Sequence, residues 1–447
     1  MGLFGTNGVR GIANEKITPR LAMDLARSLG RYMNGKGTVA IGRDTRISGE
    51  MLKSAAIAGA LSAGLEVIDI GAVPTPSIQY YVRDNADAGI VITASHNPRE
   101  YNGIKLIAGD GTEFSREGEA EVERIYFAKD FMAADWEKTG DLREDPSAND
   151  YYIRGIIKAV DAASIQKRKF RVAVDTGCGA GSLTLPFLLR RLGCEVITIN
   201  AQADGTFPWR NPEPVPDVLE ELMDIVRNHG ADMGVAQDGD ADRAVFIDEN
   251  GNFIDEEVLL AMVGKDALAR KKGPLVTPVS SSRRLLDIAE ANGVKLVWTA
   301  VGSINVARKM MEIDAVFGGE GNGGLIFPEH QYCRDGAMTC ARLLEIMASG
   351  TRLSEMAADV PQYSNSKTKV RCEDLEATME AVEKDIRKTE ANIDTTDGVK
   401  IWYDDGWVLI RPSGTEPIVR IFAEAETDER ALRLMQEGEQ LVNNCRK

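Results

Sequence analysis

At 447 residues the chain is longer than one compact core accommodates, so two to four domains are expected and apolar burial is ample. Its 69 Asp plus Glu against 53 Lys plus Arg give a net charge of -16, which repels nucleic-acid backbones and anionic membrane surfaces. A small anionic substrate fits only where a local Arg/Lys cluster or a divalent cation overrides that field.

The N-terminus MGLFGTNGVRG lacks a basic-then-apolar signal, and no apolar run approaches the ~18 residues of a membrane-spanning helix. The cysteines Cys178, Cys194, Cys333, Cys340, Cys372 and Cys445 form no CxxC pair. Together these features predict a soluble protein of a reducing, cytoplasmic interior.

In chain order, the helical pattern ITPRLAMDLARSLGRYM precedes strand-like TVAIGRD, LEVIDIG and AGIVITAS. FRVAVDTG, CEVITIN, the helical DVLEELMDIVRNHG, MGVAQDG and AVFIDEN follow, and a third echo runs through PLVTPVSSS, NGVKLVWTAVGSINV and IDAVFGGEGNGG. This irregularly spaced repeat predicts three related α/β domains with mixed, mostly parallel sheets. The charged helical EDLEATMEAVEKDIRK, strand-like WVLIRPSG and IVRIFAEAE and a final helix predict a smaller C-terminal α+β domain. Boundaries are expected at LREDPSAND, DENGN and VPQYSNSKTK, dividing the chain into 1–148, 149–250, 251–362 and 363–447. Each repeat ends in a short strand and a polar loop: TASHNP, QDGDADR and GGEGNGG. Loops beyond the carboxyl ends of parallel strands are where ligands bind, so the three are expected to face one cleft.

In QDGDADR, Asp238, Asp240 and Asp242 recur at every second position, which on an extended segment places three mutually repelling carboxylates on one side. Hard oxygen ligands favour Mg²⁺ or Ca²⁺ over zinc. An EF-hand would match these aspartates and Glu249, but it needs glycine where Arg243 stands and helices where strands are predicted. A solvated acidic turn is the plain alternative. In TASHNPREYNGIKL, Ser95 lacks a GxSxG context, and His96, adjacent in sequence, is expected to point away from it. A Ser-His-Asp triad therefore has little support, and His96 could equally serve as a loop hydrogen-bonder.

These residues carry a resemblance. TASHNPREYNGIKL resembles the active-serine loop of the α-D-phosphohexomutase family, and DGDADR its metal loop. GEGNGG resembles its sugar-binding loop and RPSGTEP its phosphate-binding loop. The four motifs stand in the family's order across nearly the whole chain. The resemblance implies a four-domain, heart-shaped enzyme around a central cleft, with Mg²⁺ held by Ser95, Asp238, Asp240 and Asp242. Ser95 would carry a phosphoryl group in the active form, deliver it to a hexose monophosphate, and recover one from the reoriented bisphosphate, with a hexosamine bisphosphate as activator.

By the same resemblance, His96 and Lys105 serve the proton transfers at the sugar hydroxyl, and Arg10 positions the phosphoserine. As a base Lys105 would need a lowered pKa, which Arg10 and Arg243 are expected to supply; phosphate attraction is its alternative role. Arg243 is expected beside the substrate, Glu320 and Asn322 on sugar hydroxyls, and Arg411, Ser413, Gly414, Thr415 and Arg420 on the non-reacting phosphate. Arg43 and Asp44 are expected to shape the first domain. LFGTNGVRG looks closer to the branch that interconverts glucosamine 6-phosphate and glucosamine 1-phosphate, feeding UDP-N-acetylglucosamine synthesis, and GEGNGG is similar to archaeal members. Broad phosphomannomutase/phosphoglucomutase specificity is the alternative, and a metal-dependent phosphatase or a silent calcium-binding module lies further off. A monomer or homodimer acting on a sugar phosphate is expected.

Overall fold

The helix Pro19–Tyr32 shows how local signals set the first domain. Thr18 caps it by accepting the Leu21 N–H, Pro19 pre-sets its first turn, and Leu21, Ala22, Leu25, Ala26 and Leu29 form its buried stripe. This computed structural model describes residues 2–5, 8–389, 392–414 and 416–446. Thr415, expected at the phosphate, lies outside the described residues.

The described strands build four sheets. The first runs in the order Val9–Ile12, Tyr101–Ala108, Ala88–Ile92, Thr38–Arg43, Glu66–Ala72, Leu142–Glu144; its last four strands are mutually parallel, while Tyr101–Ala108 joins antiparallel on both sides. The second is Phe253–Ile254, Ala244–Ile247, Met233–Gln237, Arg171–Asp175, Glu195–Ile199. The third is Leu296–Thr299, Leu275–Pro278, Phe317–Glu320, Gly324–Phe327, Gln331–Arg334. In the second and third sheets a parallel half adjoins an antiparallel half, so they are evenly mixed and not mostly parallel.

That mixture has one functional consequence. In each of the three sheets a parallel strand, Ala88–Ile92, Met233–Gln237 or Phe317–Glu320, turns back into an antiparallel neighbour. The serine, aspartate and glutamate loops are those three turns. The fourth sheet, Ser364–Arg371, Ile418–Ala425, Gly406–Pro412, Val399–Tyr403, Asn392–Asp394, is antiparallel throughout and carries the helices Leu375–Ile386 and Asp428–Cys445.

All three expected linkers turn out to hold sheet structure, the second half of VPQYSNSKTK lying in the strand Ser364–Arg371. Leu142–Glu144 is an edge strand parallel to Glu66–Ala72, and DENGN is the hairpin turn between Ala244–Ile247 and Phe253–Ile254. A continuous apolar cluster including Leu185, Val235, Phe246, Leu259, Phe317 and Leu344 joins the second and third sheets. These two layers therefore share a core.

The fourth sheet is tied to the third by a buried lysine. Lys400 Nζ donates to the carbonyl of Val279 at 2.8 Å and sits 4.5, 4.2 and 3.9 Å from the ring centres of Trp298, Trp402 and Trp407. Beside it Glu424 accepts from the Arg283 N–H and from Trp407 Nε1, both at 2.8 Å. Burial pulls the Lys400 pKa down to about 7, against the opposing pull of Glu424 and Glu257. The unfolded chain then binds this proton more tightly between pH 7 and the ordinary lysine range, so the lysine's contribution to stability rises with pH across that window. In thermal melts the wild type should gain on Lys400→Met from pH 7 to 10, by on the order of a few kcal/mol in all. A melting difference that stays flat over this range would contradict the assignment.

Candidate active site

The serine loop is wrapped around an arginine. After the strand Ala88–Ile92, Thr93 Oγ1 donates to Asp44 Oδ2 at 2.7 Å and accepts the Ser95 N–H at 2.9 Å. The fully buried Arg46 pairs with Asp44 at 3.0 Å and donates to the carbonyls of Ser95, Asn97, Pro98 and Tyr101 at 2.6–2.9 Å. Four carbonyls of one tight loop are thus engaged by one planar, permanently charged donor set. Ser95 itself adopts a left-handed conformation, φ 54°, which aims Oγ at Asp238 Oδ2, 2.8 Å away. The same twist brings His96 Nδ1 within 3.4 Å of Oγ, contrary to the expectation that the adjacent imidazole points away.

The aspartate loop is not extended. Asp238 follows the strand Met233–Gln237, and Ala241, at φ 60°, curls the chain so that one oxygen from each of Asp238, Asp240 and Asp242 falls within 4.8 Å of the others. Convergence comes from the turn and not from period-two alternation. Gly239 permits the approach: a Cβ there would lie 2.5 Å from the Ser95 carbonyl oxygen. Thr75 fastens the loop from the first domain, its hydroxyl donating to Asp240 Oδ2 at 2.6 Å and its N–H to the Asp240 carbonyl at 2.9 Å.

All three carboxyls are buried, and Oδ1 of Asp240 and of Asp242 accepts no hydrogen bond among the described residues. Burial and the neighbouring Asp240 and Asp242 push Asp238 well above the usual carboxylate range. At Asp240 burial also acts upward, but Lys105, the Thr75 hydroxyl and Arg10 outweigh it and hold the group below that range. Three buried carboxylates cannot all ionise side by side without a cation. Orphaned hard oxygens on converging carboxylates fit a divalent ion such as Mg²⁺, which Asp238, Asp240 and Asp242 would hold.

Basic groups close over this cluster. Arg10 Nη1 donates to Asn97 Oδ1 at 3.2 Å, and Arg243 Nε stands 3.9 Å from Asp242 Oδ1. Burial, then Arg243 and Arg10, push the His96 pKa down to about 2, so its imidazole is neutral. Lys105 Nζ lies 3.5 Å from Asp240, 3.5 Å from Glu113 and 3.8 Å from Asp242. Its pKa is raised: burial lowers it, but the three carboxylates overcome burial and the repulsion of Arg10. The expected lowering is therefore corrected, because acidic neighbours outnumber basic ones around the ammonium.

The glutamate loop joins the cluster through Arg334, which donates to Glu320 Oε2 at 2.7 Å and also pairs with Asp242. Asn322 Oδ1 accepts the Gly324 N–H at 3.2 Å, shaping the hairpin. Gly323, at φ 79°, lets the hairpin lie on the aspartate loop, its carbonyl accepting the Ala244 N–H at 3.0 Å. In the fourth domain Arg411 Nη2 pairs at 3.0 Å with Asp397, which also accepts the Val301 N–H at 2.9 Å. Ser413 is buried, Gly414 is exposed, and Arg420 pairs with Glu416 at 3.0 Å. The structure thus gathers Ser95, His96, Arg10, Lys105, the three aspartates and Arg243, and links Glu320 to them through Arg334. Arg411 stands at the seam of the third and fourth domains.

Sequence reasoning missed Arg46, Thr75, Glu113 and Arg334. Asp44 does shape the first domain, through Arg46. A polar TR step after GRD was the only signal for Arg46, and nothing local marks it as buried.

Models of the phosphoglucomutase/phosphomannomutase family match the chain in four consecutive blocks: alpha/beta/alpha domain I at residues 1–133, domain II at 150–251, domain III at 255–363 and the C-terminal domain at 368–440. The chain belongs to this family. It is a phosphohexomutase, an isomerase. A protein of Thermococcus kodakarensis named phosphoglucomutase/phosphomannomutase is 51% identical, covering 100% of this chain and 99% of its own length. A probable phosphoglucosamine mutase of Methanopyrus kandleri is 42% identical over 99% of this chain and 98% of its own. Among solved structures, a phosphoglucomutase/phosphomannomutase family protein of Burkholderia thailandensis superposes with a TM-score of 0.89 at 26% identity, covering 100% of this chain and 98% of that one.

Proposed function

We propose that this phosphohexomutase interconverts glucosamine 6-phosphate and glucosamine 1-phosphate, with Ser95 as the phosphoryl carrier. The observation that carries the site reading is the 2.8 Å approach of Ser95 Oγ to Asp238 inside a buried set of converging carboxylates. In the first half-reaction the Ser95 Oγ–P bond breaks as a P–O bond to a sugar hydroxyl forms. The hydroxyl proton leaves the sugar, and Oγ takes up a proton. The neutral imidazole of His96 can accept the hydroxyl proton and the Lys105 ammonium can supply one, while Arg10 and Arg243 draw the anionic phosphoryl group into the cluster. Mg²⁺ on Asp238, Asp240 and Asp242 would neutralise charge on the transferring group. Glu320 and Asn322 would orient sugar hydroxyls, while Arg411, Ser413, Gly414, Thr415 and Arg420 would hold the phosphate that does not react.

Relatives named probable phosphoglucosamine mutase support the amino-sugar substrate. The Thermococcus kodakarensis relative, named for glucose and mannose phosphates, supports a second reading of broad hexose specificity. Comparing kcat/KM for glucosamine 6-phosphate, glucose 1-phosphate and mannose 1-phosphate separates them. The amino sugar should lead by at least about tenfold, the scale of one well-placed polar contact. Values within a factor of two or three would replace the first reading by the second. Release of inorganic phosphate without a sugar bisphosphate would instead indicate a phosphatase.

A further inference from the structure

Three carboxylates face Lys105, and two of them, Asp240 and Asp242, belong to the loop that fits a cation. The remaining one is Glu113. Its Oε1 lies 3.5 Å from Lys105 Nζ, and its Oε2 accepts the Ser303 hydroxyl at 2.9 Å. Ser303 opens the helix Ser303–Glu312 of the third domain, whose positive N-terminal end favours an anion at this place. The same helix reaches back one turn later: Arg308 Nη2 donates to the Glu113 carbonyl at 3.1 Å, and Nη1 pairs with Asp110 at 2.7 Å. One helix of the third domain therefore grips both the side chain and the backbone of Glu113. A cavity of only 10 Å³ borders Glu113, Asp242, Ser303 and Arg334, room for no more than a single water.

We infer that Glu113 is a positioning residue that holds Lys105 in register with the serine loop and makes that placement depend on the docking of the third domain. Once a cation occupies Asp240 and Asp242, their charge is shared, and Glu113 is the anion left to anchor the ammonium. Glu113 needs no contact with the sugar for this. Its loss should misplace the lysine during the chemical step while leaving substrate capture intact.

The inference rests on the reading of Lys105 as a group serving the reaction, and Lys105→Met tests that separately: full turnover in Lys105→Met would remove the foundation. Glu113→Gln keeps the size and the Ser303 hydrogen bond but removes the charge. With saturating Mg²⁺, kcat should fall by about tenfold or more with KM within about twofold, and Glu113→Asp should recover part of the loss. Inactive Lys105→Met alongside Glu113→Gln with kcat within twofold of wild type overturns the inference alone, as do equal losses in the Gln and Asp variants or a loss confined to KM. If Glu113→Gln does not fold, Ser303→Ala decides: kcat about threefold lower at constant KM is expected, and an unchanged kcat counts against the inference.

Discussion

Ser95→Ala should lose the mass of one phosphoryl group, about 80 Da, and mutase turnover together, the latter by at least about 10³-fold. The fold should survive. Arg46 grips the backbone carbonyl of Ser95 and not its side chain, and Thr93 holds its N–H, so both anchors persist in the variant. Alanine also carries the same left-handed penalty as serine at φ 54°, so no new strain enters. What disappears is the oxygen that faces Asp238. Intact-mass spectrometry of wild type and variant, with turnover measured on the same samples, checks the prediction. An unphosphorylated wild-type serine in fully active enzyme would sink the stored-phosphoryl mechanism.

Asp240→Asn should be nearly as damaging to turnover, by about 10²-fold or more, while costing stability only on the order of 1–3 kcal/mol. The amide can still accept the Thr75 hydroxyl, so the contact between the first domain and the aspartate loop remains. Lost instead are the charge that faces Lys105 at 3.5 Å and an oxygen with no other partner among the described residues. Mg²⁺ should therefore raise the melting temperature of the wild type and barely move that of the variant, since ligand-linked stabilisation requires the site. Equal Mg²⁺-dependent activity in the two proteins would refute the assignment.

Features that depend on near neighbours in the chain were legible in the sequence. The strands ending in TAS, AQD and GGE were readable because apolar runs stop at polar, glycine-containing loops, and all three lie at equivalent turns of their sheets. The gathering of the aspartates was readable from spacing, although the turn at Ala241 achieves it where an extended strand was expected. Features that depend on cross-domain pairing were not legible. The acidic surroundings of Lys105 come from Glu113, and from aspartates more than a hundred residues away, so counting nearby arginines misjudged the direction of its shift. Arg334 looks like any polar strand residue until the third sheet places it between Asp242 and Glu320. DENGN carries the composition of a linker and of a hairpin turn alike, and only pairing between Ala244–Ile247 and Phe253–Ile254 decides between them.

The lysine at the seam of the third and fourth domains also makes that seam visible to light. Of the chain's five tryptophans, Trp136 and Trp209 are 84% and 70% exposed, Trp407 is buried, and Trp298 and Trp402 are half-buried. Trp298 belongs to one side of the seam, and Trp402 and Trp407 to the other. Any swing of the fourth domain that parts them would carry the buried indole of Trp407, and the covered faces of Trp298 and Trp402, away from Lys400 and into water, reddening their emission. With Trp136 and Trp209 replaced by phenylalanine, the protein carries its own optical gauge of domain opening, with no dye attached.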